Sequence, residues 1–293
     1  MENDKQKLIL VTGGAGFIGS HLCERLVREG HKVISLDNYF TGSKDNHVEG
    51  VEYREGHTKD IEKHITETPD IIYHLGEYSR VAASLNEPEI VWDLNIAGTF
   101  GVLEFWRKKK CKLVYAGSST KSVGDRGDGV VGRDLAPYTW MKAINSELVM
   151  NYGRWFGLSC AITYFYNVYG PRERSDEYGT VIEIFKKNYL DKVSYKVRAP
   201  GTQTRTFTNV DDTVDGIILV GEKGEGDGFG ISAKEEFSLT DVANMFGGEI
   251  EMLEATKTTR PHSVVDTTKI EDLGWEQKRN LKDYIEEVKK ENK

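Results

Sequence analysis

The sequence predicts an α/β fold: a doubly wound parallel sheet with a smaller C-terminal α/β lobe. Short β-rich runs alternate with helical patterns through the first half of the chain, and that alternation makes a parallel sheet covered on both faces. A glycine-rich turn, T-G-G-A-G-F-I-G at 12–19, joins the first run to the first helical pattern. After Gly170 the rhythm loosens into shorter segments. The expected division is 1–170 for the sheet domain and 171–293 mainly for the lobe, some of whose segments return to the first domain.

The strand candidates are Lys7–Thr12, His31–Asp37, Val51–Glu55, Asp70–Leu75, Cys111–Ala116 and Ala161–Phe165. Between the first two, Ile18, Leu22 and Leu26 recur every fourth residue and Gly30 supplies a C-terminal stop. A second helical pattern runs from Asn95 to Lys110, with a basic last turn. A third begins near Tyr138 and is expected to break at Gly153. In the second half the sequence suggests a helix at Val181–Leu190, a strand at Val193–Val197, a segment Arg205–Asp212 entering a helix, and a glycine-rich turn at Gly221–Gly230.

Composition narrows the function. The chain of 293 residues is 38% hydrophobic and 29% charged, enough apolar matter for a core. Its net charge of −8 argues against non-specific nucleic-acid binding, so an anionic ligand needs locally placed arginines. The apolar run Leu8–Val11 is too short for a membrane span. Cys23, Cys111 and Cys160 form no C-x-x-C pair and fit buried reduced thiols, hence a cytoplasmic protein. No H-E-x-x-H or G-x-S-x-G pattern occurs, which gives no reason to expect a metal site or a serine nucleophile.

The turn at 12–19 carries the first chemistry. Gly13, Gly16 and Gly19 stand where a side chain would block a tight turn, the backbone's approach to a pyrophosphate, or helix-on-strand packing. The helix that follows offers free N–H groups to phosphate. Asp37 closes the second strand eighteen residues after Gly19. A carboxylate there accepts bonds from an adenosine ribose and repels a 2′-phosphate, so NAD is the expected cofactor rather than NADP. The plain alternatives are a glycine-rich turn and a strand-end aspartate.

Further on, Tyr138 and Lys142 are four residues apart, which places phenol and ammonium on one helix face. A tyrosine with an ordinary pKa near 10 is a poor base at neutral pH, and adjacent positive charge favours its phenolate. Lowering a phenol's pKa by three units takes about 4 kcal/mol, which an ammonium and a cationic nicotinamide supply together. Ser118 and Ser119 end a preceding strand, where a hydroxyl can hold a substrate oxygen while the tyrosine moves its proton.

These motifs, in this order, resemble the NDP-sugar epimerases and dehydratases of the extended short-chain dehydrogenases, over nearly the whole chain. T-G-G-A-G-F-I-G-S-H-L looks like the family's opening. L-D-N-Y-F-T-G (36–42), H-L (74–75), N-I-A-G-T (95–99), Y-A-G-S-S (115–119), P-Y-T-W-M-K (137–142) and Y-N-V-Y-G-P-R (166–172) follow. The resemblance implies Ser119, Tyr138 and Lys142 as catalytic residues. It implies cofactor contacts from Gly13, Gly16, Phe17, Ile18, Gly19, Asp37, Asn38, Thr41, Gly42, Leu75, Gly76, Asn95, Ser118, Tyr138 and Lys142. T-R-T-F-T-N-V-D-D (204–212) and Arg260-Pro261 resemble its diphosphate-gripping elements. They imply substrate contacts from Arg205 and Arg260, beside Asn167 and Ser119. Arginine suits the task because its fork binds phosphate oxygens in pairs. A homodimer through the helices starting at Asn95 and Tyr138 is implied as well.

The chain also departs from the family pattern. Gly56-His57 replaces a Gly-Asp, Glu77 replaces the second alanine of H-L-A-A, and Ser122-Val123-Gly124 replaces V-Y-G. Arg260-Pro-His-Ser263 lacks the aspartate of R-P-G-D. Dehydratases of the family carry an Asp-Glu pair after the catalytic threonine, and its decarboxylases keep a glutamate in that turn. Here Thr120 and Lys121 stand there. The expected activity is therefore 4-epimerisation of a nucleotide-sugar, UDP being the expected nucleotide. The alternatives are a dehydratase, decarboxylase or reductase using the same oxidation, and a non-catalytic NAD-sensing protein.

Overall fold

A computed structural model of the chain describes residues 6–118, 132–176, 178–255 and 266–292. In the first half the strands are β1 (Leu8–Thr12), β2 (Lys32–Asp37), β3 (Val51–Glu55), β4 (Ile71–His74), β5 (Lys112–Ala116) and β6 (Cys160–Phe165). The helices among them are α1 (Phe17–Arg28), the short α2 (Ile61–His64) and α3 (Pro88–Val91), α4 (Gly98–Lys109) and α5 (Pro137–Phe156). All six predicted strands are present, with ends shifted by at most a residue. Parallel strands buried on both faces read as continuous apolar runs, which makes all of these but the edge strand β3 legible; β3 has no buried residue and shows by its alternation. Helix α5 passes through Gly153 and stops at Gly157, whose φ of 64° a glycine adopts without strain. The second pattern becomes α4 only from Gly98, after a wide turn over Trp92–Ala97.

The second half contributes β7 (Val168–Tyr169), α6 (Val181–Asp191), β8 (Tyr195–Arg198), β9 (Thr204–Thr206), β10 (Thr208–Asn209) and α7 (Val210–Lys223). It ends with β11 (Gly226–Ile231), β12 (Glu236–Ser238), α8 (Leu239–Phe246), β13 (Ile250–Leu253), α9 (Thr268–Asp272) and α10 (Leu281–Glu291). The main sheet is parallel, seven-stranded and ordered β11-β6-β5-β4-β1-β2-β3. The segment expected as a glycine-rich turn at Gly221–Gly230 is instead the end of α7 and most of β11. Its glycines lower strand propensity, but pairing with β6 and burial of Phe229 and Ile231 override that.

One sheet face is covered by α1, α7 and α9 around Ile9, Val11, Leu22, Leu26, Ile217 and Trp275. The other lies under α4 and α5, with Leu10, Leu36, Val102, Phe105, Trp106 and Val149. A separate core of Phe185, Tyr195, Phe237, Val242, Phe246 and Ile285 holds the C-terminal lobe together. The chain winds outward through β1, β2 and β3, then restarts at β4 on the other side of β1. In open parallel sheets the crevice at such a reversal, beyond the strands' carboxyl ends, is where ligands bind.

Candidate active site

Beyond the reversal point opens a cavity of about 540 Å³. Its floor is the turn after β1. Gly13 has a φ of 76°, donates its N–H to Leu36 O at 2.9 Å, and would carry a Cβ 2.8 Å from Gly76 Cα. A Cβ on Gly19 would lie 2.0 Å from Gly13 O. Gly16 stands at the head of α1 without a side-chain cap, so the first helical N–H groups are available to an anion. This cradle fits a pyrophosphate because its walls are backbone.

At one end of the cavity lies Asp37, held by N–H groups of Ala15 (2.9 Å) and Tyr39 (2.8 Å). Burial pushes its pKa up, and those two donors pull it back. Asn38, Thr41 and Gly42 line the same end. The other end is lined by Leu75, Gly76, Ser118, Tyr138, Lys142 and Asn167. Tyr138 sits in the first turn of α5 behind Pro137, its N–H donated to Ser84 Oγ at 3.3 Å, and Lys142 follows one turn later.

Lys142 is engaged from within the protein. Its ammonium is paired with Glu77 and donates to Ala116 O at 2.6 Å. The other oxygen of Glu77, Oε1, accepts from Thr99 Oγ1 (2.6 Å), Asn145 Nδ2 (3.0 Å) and Tyr115 OH (3.1 Å). Beyond Thr99 lies His74, whose Nε2 is 3.0 Å from Thr99 Oγ1 and whose Nδ1 is 2.7 Å from Thr12 Oγ1. Because Thr99 donates to the carboxylate, it accepts from His74 Nε2–H, which leaves Nδ1 to accept from Thr12. Burial drops the His74 pKa to about 4 against the opposing pull of Glu77, with a smaller push from Lys142, so the ring is neutral. Burial, the largest single influence, pushes the Glu77 pKa up, but the charge of Lys142 together with the hydrogen bonds the carboxylate receives brings the net direction down. Glu77 is thus a buried carboxylate.

Not every predicted residue meets the cavity. Asn95 is fully buried outside its lining: its amide clamps Tyr78, accepting from the N–H at 2.7 Å and donating to the C=O at 3.1 Å. Arg205 lies on β9, donates to Thr204 O at 2.6 Å and is likewise outside the lining. Asn167, with a φ of 41°, lines the cavity while its side chain donates to Thr206 O at 2.9 Å. His57 lies away from the cavity and accepts from Lys59 N–H at 3.0 Å. Ser119 and Arg260 lie outside the described residues.

The sequence reading missed a second wall. Arg80, Arg172, Glu173, Arg174 and Tyr178 all line the cavity. Arg172 pairs with Glu24 of α1 at 2.7 Å, and Arg174 donates to Thr41 O at 3.2 Å. Glu173, buried 3.4 Å from Arg80, has its pKa raised by burial to about 7, against the pull of that arginine. The P-R of the Y-N-V-Y-G-P-R motif was the available signal.

A phosphate cradle at a sheet reversal, an acid on the second strand and a Tyr-Lys pair along one cavity define a dinucleotide-dependent redox enzyme. The chain belongs to the NAD-dependent epimerase/dehydratase family, whose model matches residues 9–231. It is 32% identical to a putative UDP-glucose 4-epimerase of Methanocaldococcus jannaschii, over 96% of this chain and 97% of that protein. It is equally 32% identical to UDP-glucuronic acid decarboxylase 6 of Arabidopsis thaliana, over 94% of this chain and 86% of the relative. Its fold matches UDP-glucose 4-epimerase of Thermotoga maritima, solved with UDP-glucose, with a TM-score of 0.88 and 26% identity over 97% and 99% of the two chains.

Proposed function

We propose that the protein is a 4-epimerase of a nucleotide-sugar, with UDP as the nucleotide. The observation that carries this is the engagement of Glu77. Expelling water across C5–C6 takes an acid and a base besides the tyrosine. Among the described residues the carboxylate bonded to Lys142 is Glu77, and its oxygens already accept from Lys142, Thr99, Asn145 and Tyr115. The sequence adds Thr120 and Lys121 where the family's dehydratases and decarboxylases place acids.

In this reading bound NAD supplies a reversible two-electron acceptor. Tyr138 takes the proton of the sugar's 4-hydroxyl and returns it after the ring has turned over in the cavity. Lys142 supplies the positive charge that favours the phenolate. Ser118 and Ser119 hold the reacting oxygen, and Asn167 stands at the cavity wall on the diphosphate's side; the resemblance alone assigns Arg205 and Arg260 to the diphosphate. The Methanocaldococcus relative and the Thermotoga structure support this choice.

Decarboxylation or dehydration is the second reading. Glu173 favours it, as a cavity carboxyl that can carry a proton near neutral pH, and so does the Arabidopsis relative. The test is incubation with UDP-hexoses, N-acetylated UDP-hexoses and UDP-glucuronate in deuterated water, read by mass spectrometry and sugar-ring NMR. Inversion at C4 is expected, with unchanged mass, no label at C5 and no net consumption of NAD. A product lighter by water or carbon dioxide would establish the second reading. Binding of NAD with no turnover of any of these sugars would make the protein a sensor.

We further infer a homodimer through α4 and α5. Phe100 on α4 and Trp140, Trp155 and Phe156 on α5 are large apolar side chains at least 40% exposed, and exposed apolar surface of this kind marks protein contacts. Light scattering at micromolar concentration should give twice the mass of 33.1 kDa. A monomer mass would refute the dimer.

A further inference from the structure

We propose that Glu77 is a positioning residue that fixes Lys142 and partly offsets its charge, so that the site favours the oxidised, cationic nicotinamide over the reduced ring. The inference needs the cofactor to be NAD but does not rest on the epimerase reading. It holds for any reaction that begins by oxidising the sugar.

The cavity's layout sets where each half of the dinucleotide lies. With the pyrophosphate on the cradle and the adenosine ribose at Asp37, the redox nucleoside falls at the end lined by Tyr138 and Lys142. Lys142 is 5% exposed there. An ammonium has three N–H donors; Glu77 and Ala116 O take two, and the nitrogen lies 4.9 Å from the centroid of the Tyr115 ring. An uncompensated ammonium at this depth would repel the positive ring that oxidised NAD brings, through weakly screened Coulomb interaction.

The surrounding groups do not supply the missing charge. His74 on β4 is neutral, and Tyr115 on β5 is held as a phenol because burial and Glu77 raise its pKa well above the ordinary value. Thr99 of α4, Asn145 of α5 and Asn95 are uncharged, as are the phenol rings of Tyr78 and Tyr138 before any proton is lost. Among the described residues bonded directly to one another around Lys142, the charged side chains are Lys142 and Glu77; Glu87 lies farther out, accepting from Tyr78 OH at 2.6 Å. Stability alone is a poor account of the pair, because a buried ion pair replaced by well-packed neutral groups is often no less stable. The family pattern H-L-A-A does without the acid.

The test is Glu77→Gln, which keeps the shape and most of the hydrogen bonds but removes the charge. Affinities of the nucleotide-free chain for NAD⁺ and NADH are measured separately, by calorimetry and by NADH fluorescence. NAD⁺ should weaken at least about tenfold more than NADH. In the holoenzyme the same change appears as a rise of about 30 mV in the midpoint potential of the bound couple. Equal weakening of both forms, or no change in a variant with native circular dichroism, overturns the proposal and leaves Glu77 a structural residue. If the glutamine variant does not fold, Glu77→Ala, which restores the family's residue, is expected to give the same shift. The double variant Glu77→Gln/Lys142→Met should bring the affinity ratio back to within about threefold of the native one. A shift that survives without the ammonium also overturns the proposal, because the effect would not run through Lys142.

Discussion

Replacing Tyr138 by phenylalanine is expected to lower turnover at least about a hundredfold, with the fold and NAD binding left in place. The ring is 8% exposed and sits in a small apolar cluster with Tyr78, Val91, Leu94 and Met141, and phenylalanine retains all of that packing. Its backbone N–H continues to meet Ser84 Oγ, so the first turn of α5 and the placement of Lys142 are undisturbed. What disappears is one hydroxyl at the cavity wall, the group that exchanges a proton with the substrate in the proposed mechanism. General acid–base catalysis by a positioned side chain contributes about 10²–10⁴-fold, so the lower end of that range is the minimum loss. Because the proton moves in the chemical step, the deficit should fall on kcat, with KM and the NAD dissociation constant close to native. Steady-state kinetics beside an NAD titration decide the matter. A variant that keeps a third of the native kcat would remove Tyr138 from the mechanism.

What the sequence makes legible follows from the range of each interaction. The inner strands β1, β2, β4, β5 and β6 show because burial leaves a nearly continuous apolar run in each, whereas the edge strand β3, V-E-Y-R-E, shows by its alternation. The cradle and the Tyr138–Lys142 pair show because their geometry is set within one turn or one helix. Strand β11 is obscured by its own glycines, Gly226, Gly228 and Gly230, and only its place beside β6 makes it a strand. Glu77 looks out of place in the sequence, since its partner lies 65 positions away and on a different element. The wall formed by Arg172, Glu173 and Arg174 depends on how the chain after β7 crosses back over α1 and the loop after β2, contacts no local pattern encodes. Asn95 shows the opposite error. A motif marks it as important, but the structure gives its amide to the backbone of Tyr78.

Gly19→Ala is expected to cost the protein at least about a hundredfold in NAD affinity together with part of its stability. The added Cβ would stand 2.0 Å from Gly13 O and 2.8 Å from Gly13 C, and neither atom is free to retreat. Gly13 donates its N–H to Leu36 O, and its own carbonyl accepts from Gly16 N–H at 3.1 Å. Its φ of 76° is open to few other residues. The helix cannot easily move instead, because Leu22, Cys23 and Leu26 anchor α1 in the core beneath it. The clash is therefore relieved either by lifting the start of α1 or by opening the turn. Both carry the helical N–H groups away from where a pyrophosphate lies. Overpacking of this kind costs about 1–3 kcal/mol, which for a chain of this size lowers Tm by about 2–5 °C. Charge-assisted bonds to phosphate are worth about 1.5–3 kcal/mol each, so losing two of them gives the hundredfold or more in affinity. Calorimetric NAD titration and thermal melts measure the two effects independently. An alanine variant with native Tm and NAD affinity within threefold of native would mean that α1 lies farther from Gly13 than the structure places it, and the cradle would then need another floor.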